Sequence, residues 1–257
     1  MKNKYLYLLY VVWCGDIHAK PLTAEEATLT PSEFAAQELK NKYDVIYFLP
    51  DNAAQAKKTI IGLIDQEKKT IRAALFRLTE PTITKALIDA HKRGVDVEVI
   101  IDPGALGSNY YSKVGQLLKE GIKVYVYQTT GLISALAKDG ISKNDLNDTK
   151  YQTIMHHKTL ILNCTIGGKP IVTYGSLNLT HAGFSGNEEL VAIRNDRYIV
   201  AQFQDQFEHL KKRSYRLEYT APAGRCEHGG YRKHSKQTHV FMRGMHIMAQ
   251  IAQRIVH

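Results

Sequence analysis

Apolar residues along this chain come in two rhythms. Short β-branched or aromatic runs at 45–49 (VIYFL), 70–76, 95–102 (VDVEVIID) and 122–127 each predict a strand. Between them, Ile60, Ile61 and Ile64 recur at helical spacing within 53–67. Pro81, after a possible cap at Thr79, opens a helix that Gly94 stops, and a further helix over 112–120 ends at Gly121. Strands alternating with helices of this length predict βαβ units, hence an α/β fold with a mostly parallel or mixed sheet flanked by helices on both faces. After Tyr127 the rhythm breaks for about 25 residues, a connection long enough to be a functional rim. Strands at 154–162 and 170–174 follow, then a turn rich in glycine and asparagine, a strand at 189–194 and a helix over 196–215.

The two ends of the chain read differently from the middle. Lys2 and Lys4 precede an apolar run at 5–14, and a short polar stretch ends at Ala19. That is the order of a secretory signal peptide, so residues 1–19 are expected to be removed and the protein exported, periplasmic or secreted, with a membrane-associated state left open. Residues 20–44 read as a leader helix and linker, 45–217 as the folded domain and 218–257 as a basic tail. The tail holds five histidines, none paired at tight metal-ligand spacing. Across the chain 34 Lys and Arg face 25 Asp and Glu, a formal charge of +9 that favours polyanionic partners, nucleic acid or an anionic phospholipid surface. Three cysteines without a CxxC spacing exclude a disulfide framework and a cysteine zinc site.

The polar chemistry concentrates in MHHKTLILNCTIGGKPIVTYGSLNLT, 155–180, where two histidines and a lysine head an apolar strand. Strand alternation sends His156 and Lys158 to one face and His157 to the other, where a local hydrogen bond would satisfy its ring. An imidazole beside an ammonium is costly to bury as packing, because each needs a partner or an anion; together they form an anion site with a nucleophile or proton donor. Gly175 and Ser176 end the next strand and Asn178 follows, offering a hydroxyl and an amide where a turn begins. Glu189, thirteen residues beyond Ser176, can orient a histidine through its ring nitrogen. Asp102 ends a strand where active sites of parallel sheets sit, yet Pro103 follows it, so a turn-starting role is at least as good a reading. Singly, a strand histidine is usually structural and G-S-x-N an ordinary turn; the joint spacing argues for a site.

At these residues the chain resembles the phospholipase D superfamily, whose motif is H-x-K, four residues, Asp, then G-S-x-N. Here it reads His156-x-Lys158, four residues, Asn163, then Gly175-Ser176-Leu177-Asn178, with Glu189 at the family's downstream glutamate. KRGVDVEVIID and LLKEGIKVYVY also look like the family, so the resemblance spans 45–215. Asn163 replaces the motif's aspartate and lies on the strand face opposite Lys158, which gives it, with Gly175, a supporting part; neighbouring Cys164 reads as a small core residue. The resemblance implies a phosphodiesterase in which one histidine attacks phosphorus, a second protonates the leaving group, and Lys158, Asn178 and Ser176 hold the phosphoryl oxygens. It implies no cofactor and no metal. One motif per chain implies a homodimer with His156 from each copy in a shared site; failing that, His91 and His181 are the first suspects for the second histidine. Charge and size favour an endonuclease on DNA or RNA. A phospholipase D acting on phosphatidylcholine- or cardiolipin-type lipids is the alternative, with the apolar stretch 131–137 (GLISALA) able to touch a lipid interface. A non-catalytic nucleic-acid or membrane binder is the third reading.

Overall fold

The computed structural model describes residues 22–39, 44–107, 112–129 and 153–219. Eight strands form one sheet: β1 (Asp44–Leu49), β2 (Thr70–Leu75), β3 (Asp96–Ile101), β4 (Lys123–Tyr127), β5 (Lys158–Leu162), β6 (Ile171–Gly175), β7 (Glu189–Arg194) and β8 (Ser214–Arg216). Their order across the sheet is β1-β7-β6-β5-β2-β3-β4-β8. Strands β2, β3 and β4 run parallel because helices α4 (Pro81–Lys92) and α6 (Val114–Lys119) carry the chain back between them. Every other neighbouring pair is antiparallel. The sheet is thus mixed, its parallel part confined to the segment where strands and helices alternate in sequence. At the end of α4, Gly94 takes φ +93°, a left-handed conformation that stops the helix where the sequence predicts.

Helices lie on both faces. Besides α4 and α6, one face carries α2 (Pro31–Glu38), α3 (Ala53–Gln66) and α7 (His181–Ser185), which enclose the larger core with Leu63, Leu87, Val99, Leu117 and Leu160. Residues 23–39, read as a lead-in, form α1 (Ala24–Thr28) and α2, each opened by a capping box, Thr23 with Glu26 and Thr30 with Glu33. Phe34 and Ala35 of α2 are buried.

The opposite face is covered by α8 (Arg197–Lys212), whose Val200, Phe207 and Leu210 pack on Ala74, Ile100, Ile161 and Val172. Eight strands at about 4.8 Å spacing are far wider than one helix of about 10 Å, so α8 leaves both margins of this face uncovered. At the β3–β4 margin the side chains are charged: buried Glu98 pairs with Arg72, Lys123 and Lys211. The β1–β7 margin is apolar, with Ile46 54%, Phe48 60% and Leu190 41% exposed.

Three boundaries differ from the sequence reading. The expected strand at 154–162 begins only at Lys158, because the Met155 N–H goes to the Asp102 carboxylate instead of a neighbouring strand. The helix expected to reach 215 ends at Lys212, and Ser214–Arg216 pair with β4 as an edge strand. Glu80, not Thr79, is the N-cap residue of α4. Cys164 is partly exposed rather than core. The expected signal peptide, the stretch 131–137 and all but the start of the basic tail lie outside the described residues. Among the described residues no helix is long and apolar enough to cross a membrane.

Candidate functional site

The strand pairings bring five segment ends to one edge of the sheet. Leu75 at the end of β2 pairs with Lys158 at the start of β5 and lies beside Ile101 at the end of β3. Gly175 at the end of β6 pairs with Val191, two residues after the start of β7. The turn after β6 is tied to the loop after β2, since the N–H groups of Thr79 and Glu80 both donate to the Leu179 carbonyl, at 3.0 and 3.1 Å. All the candidate residues except Asn163 and His91 therefore sit at this one edge.

The sequence of the β6 turn follows from its contacts. Gly175 has φ +153°, and a Cβ there would stand 2.3 Å from the Leu190 carbonyl oxygen, so glycine is required for β6 to close on β7. The Ser176 N–H donates to that carbonyl at 3.1 Å while its Oγ accepts the Leu190 N–H at 3.1 Å. Thr180 caps α7 by accepting the Gly183 N–H. Asn178 lies between them, its Oδ1 buried and without a hydrogen-bond partner among the described residues. Nearby, Glu80 is buried and pairs with Lys57 at 3.3 Å, and Lys57 lies over the Phe184 ring, joining α3, α4 and α7 beneath the turn.

His156 and Lys158 do come together, and they meet on a residue that the sequence reading overlooked. The His156 ring packs edge-on to Phe76, centroids 4.6 Å apart, and the Lys158 ammonium lies 5.2 Å from the same ring. Lys158 is 8% exposed and among the described residues gives one hydrogen bond, 2.9 Å to the His156 carbonyl, so two of its three donors have no partner there. His156 is exposed at the tip. The expected local bond to the His157 ring is not formed among the described residues; His157 is half-buried and its carbonyl accepts the Phe76 N–H at 2.8 Å.

Asp102 fixes this tip in place. It is 4% exposed; one oxygen accepts the Gly104 N–H at 2.8 Å, the turn role the sequence suggested, and the other accepts the Met155 N–H at 2.9 Å, immediately before His156. Burial pushes its carboxyl above the usual range, partly offset by those two bonds and by Arg77 and His156. Burial and then the Lys158 charge hold His156 below its ordinary 6.5, with Asp102 and Glu189 pulling the other way. Lys158 is likewise lowered by burial and raised by Glu189. Glu189 thus acts on both groups through its charge, while its carboxylate accepts a hydrogen bond from the Asn187 amide at 3.3 Å.

The remaining candidates fall elsewhere. Asn163 lies at the far end of β5 and, as alternation predicts, on the α8 face: its amide donates to Thr70 Oγ1 and its carbonyl accepts from Gln204 of α8. His91 is in the last turn of α4, whose first turn follows the loop tied to the β6 turn, so it too is remote from the edge. His181 begins α7 at the site edge and is exposed. Among the described residues no three His, Cys, Asp or Glu side chains are grouped to hold a metal ion.

Comparison with known proteins bears on the family and the fold. Residues 60–211 match the family described as cardiolipin synthase, PLD-like domain. A mitochondrial cardiolipin hydrolase of Xenopus laevis is 26% identical over 162 residues, 63% of each chain, and a phospholipase D of Rickettsia felis is 27% identical over 165 residues, 64% of this chain and 67% of that one. The chain therefore spans less than two thirds of that cardiolipin hydrolase. The fold is shared with NucT from Helicobacter pylori, with a TM-score of 0.55 at 22% identity, covering 66% of this chain and 96% of NucT. A family match over more than half the chain, on the strands that bring His156, Lys158 and Asn178 to one edge, identifies the protein as a member of the phospholipase D-like family.

Proposed function

We propose that this chain is a phosphodiesterase that cleaves the backbone of DNA or RNA through a phosphohistidine intermediate, in a site shared by two copies. The observation that carries the reading is the convergence of His156 and Lys158 on Phe76, with an exposed imidazole whose pKa burial and Lys158 lower, favouring the neutral form, and an ammonium with two donors unpartnered among the described residues. A ring nitrogen of His156 attacks phosphorus, the bond from phosphorus to the leaving oxygen breaks, and His156 of the second copy protonates that oxygen. The same second histidine then takes a proton from water, whose oxygen attacks phosphorus and breaks the P–N bond. Lys158, Asn178 and Ser176 hold the non-bridging oxygens, where charge develops. Glu189 favours the charged state of both basic groups by its field.

The second copy has a place to dock. The bare margin of Ile46, Phe48 and Leu190 adjoins the site directly, since Leu190 exchanges two hydrogen bonds with Ser176 and follows Glu189. An apolar face left uncovered beside a site that needs a second histidine fits a symmetric dimer, in which the same patch meets itself across a two-fold axis. Phe48→Glu is expected to give monomers by light scattering with His156 intact and turnover lost; an active monomer would refute the shared site.

Substrate class is tested by incubating the purified chain with plasmid, single-stranded oligonucleotide and anionic liposomes. Nucleic-acid cleavage that falls steeply with salt is the expected result. The cardiolipin hydrolase and phospholipase D relatives favour a second reading, hydrolysis of phospholipid, and release of headgroup from liposomes with intact nucleic acid would establish it in place of the first.

A further inference from the structure

Arg77 lies on the same aromatic ring as the two proposed catalytic groups and has no task in the chemistry above. Its guanidinium is 4.9 Å from the Phe76 centroid and its one hydrogen bond is a long one, 3.4 Å to the Gly104 carbonyl. It forms no ion pair among the described residues. Its charge acts on Asp102, whose two oxygens already accept the Met155 and Gly104 N–H groups. Arg77 is half-buried, so its position is constrained, while among the described residues most of its five donors have no partner.

The geometry bounds where those donors act. Arg77 and Lys158 stand 4.9 and 5.2 Å from one ring centroid, so their charges cannot be further apart than these two distances laid end to end. That limit leaves room for the two cations to hold different phosphates. Consecutive phosphates of a nucleic-acid strand, joined through three sugar carbons, are spaced on this scale, about 6–7 Å. We infer that Arg77 forms a second phosphate subsite, binding the phosphodiester next to the one that is cleaved. This rests on the nuclease reading and extends it: the enzyme would measure two phosphates, with both cations set against the Phe76 ring.

The subsite predicts a gain that belongs to the flanking phosphate alone. Three substrates isolate it: a dinucleoside monophosphate with a single diester, the same compound carrying an added terminal phosphate, and an eight-residue oligonucleotide. For the wild-type chain the added phosphate is expected to raise kcat/KM about tenfold to a hundredfold, mostly through KM, as for one charge-assisted hydrogen-bonded contact. In Arg77→Ala that gain should shrink to threefold or less, with Arg77→Lys intermediate, because an ammonium supplies charge without the fork. Melting temperatures of both variants separate a folding defect from a lost contact. A wild-type chain that cleaves all three substrates without a flanking-phosphate gain overturns the subsite alone. So does an Arg77→Ala chain that loses equally on the single diester and the longer substrates, which makes Arg77 a partner of Asp102 and nothing more. A wild-type chain that cleaves none of them, while hydrolysing phospholipid in liposomes, overturns both the subsite and the nuclease reading beneath it.

Discussion

Replacing Asp102 tests how the tip of the site is held. The carboxylate is 4% exposed and accepts two backbone N–H groups from segments far apart in sequence, Gly104 and Met155. Asp102→Ala leaves both donors without a partner, and a buried donor left unsatisfied costs about 1–3 kcal/mol. The Gly104 N–H is partly accessible and can recover water, so the total is expected at roughly 2–4 kcal/mol, a fall of about 5–15 °C in Tm for a domain of this size. Activity should fall further than stability, because Met155 immediately precedes His156, and a displacement of about 1 Å in a reacting group costs on the order of a hundredfold. Asp102→Asn is the finer probe: its carboxamide keeps the shape, but only one of its two atoms can accept. Thermal melts paired with specific activity of the folded fraction measure both effects. An Asp102→Ala protein that melts with the wild type and keeps its turnover refutes the anchoring role. The pH dependence adds a sign. Burial raises the folded-state pKa of Asp102 above the ordinary 3.8, so folding binds its proton more tightly. Its contribution to stability is then fully present below 3.8 and is lost as pH rises through the raised value. The stability of wild type relative to Asp102→Asn should accordingly decline as pH climbs from acid through that range; a rising difference contradicts the burial argument.

His156→Ala is expected to abolish turnover with the fold retained, while His157→Ala keeps most of it, and equal losses at unchanged Tm would overturn the choice of nucleophile. The rate should rise with pH along a limb whose midpoint lies below 6.5, because burial and Lys158 favour neutral His156; in the residual activity of Lys158→Met that midpoint should move upward, and a downward move contradicts the assigned cause. Gly175→Ala should cost at least about 1–3 kcal/mol in denaturant titration, since its Cβ would meet the Leu190 carbonyl and its φ disfavours any side chain. Because the proposed donors are His, Lys, Ser and Asn, turnover is expected to persist in EDTA, and complete loss restored by one divalent ion would point to metal-assisted hydrolysis.

What could be read from the sequence is what local periodicity encodes. The β-branched runs gave the core strands, the glycines after helices gave their ends, and alternation from Lys158 correctly sent Asn163 to the other face. The hidden parts depend on contacts between distant segments. Asp102 and Met155 are 53 positions apart, and nothing in VIIDPG announces that the carboxylate will take a strand's first N–H and delay β5 by four residues. Phe76 ends an apolar run and reads as the tail of a core strand, with Arg77 just beyond it; only the pairing of β2 with β5 brings them beside His156. Ser214–Arg216 carry too little apolar character to predict a strand, and they form one because β4 has an open edge beside the end of α8.

The position of Asn163 explains why the departure from the family motif need not disturb the site. Five residues of extended chain separate it from Lys158, about 16 Å. At that distance the side chain meets no substrate bound at the edge where His156 lies. It braces the other end of β5, linking β2 through Thr70 to α8 through Gln204. An aspartate there would accept from both neighbours; asparagine gives to one and accepts from the other, so both contacts survive the exchange. The motif therefore divides along one strand into a chemical end and a structural end. In the proposed mechanism its histidine and lysine are constrained by the phosphoryl group they meet, whereas its fifth position after the lysine answers to the hydrogen-bonding capacity of Thr70 and Gln204, which an amide satisfies as well as a carboxylate.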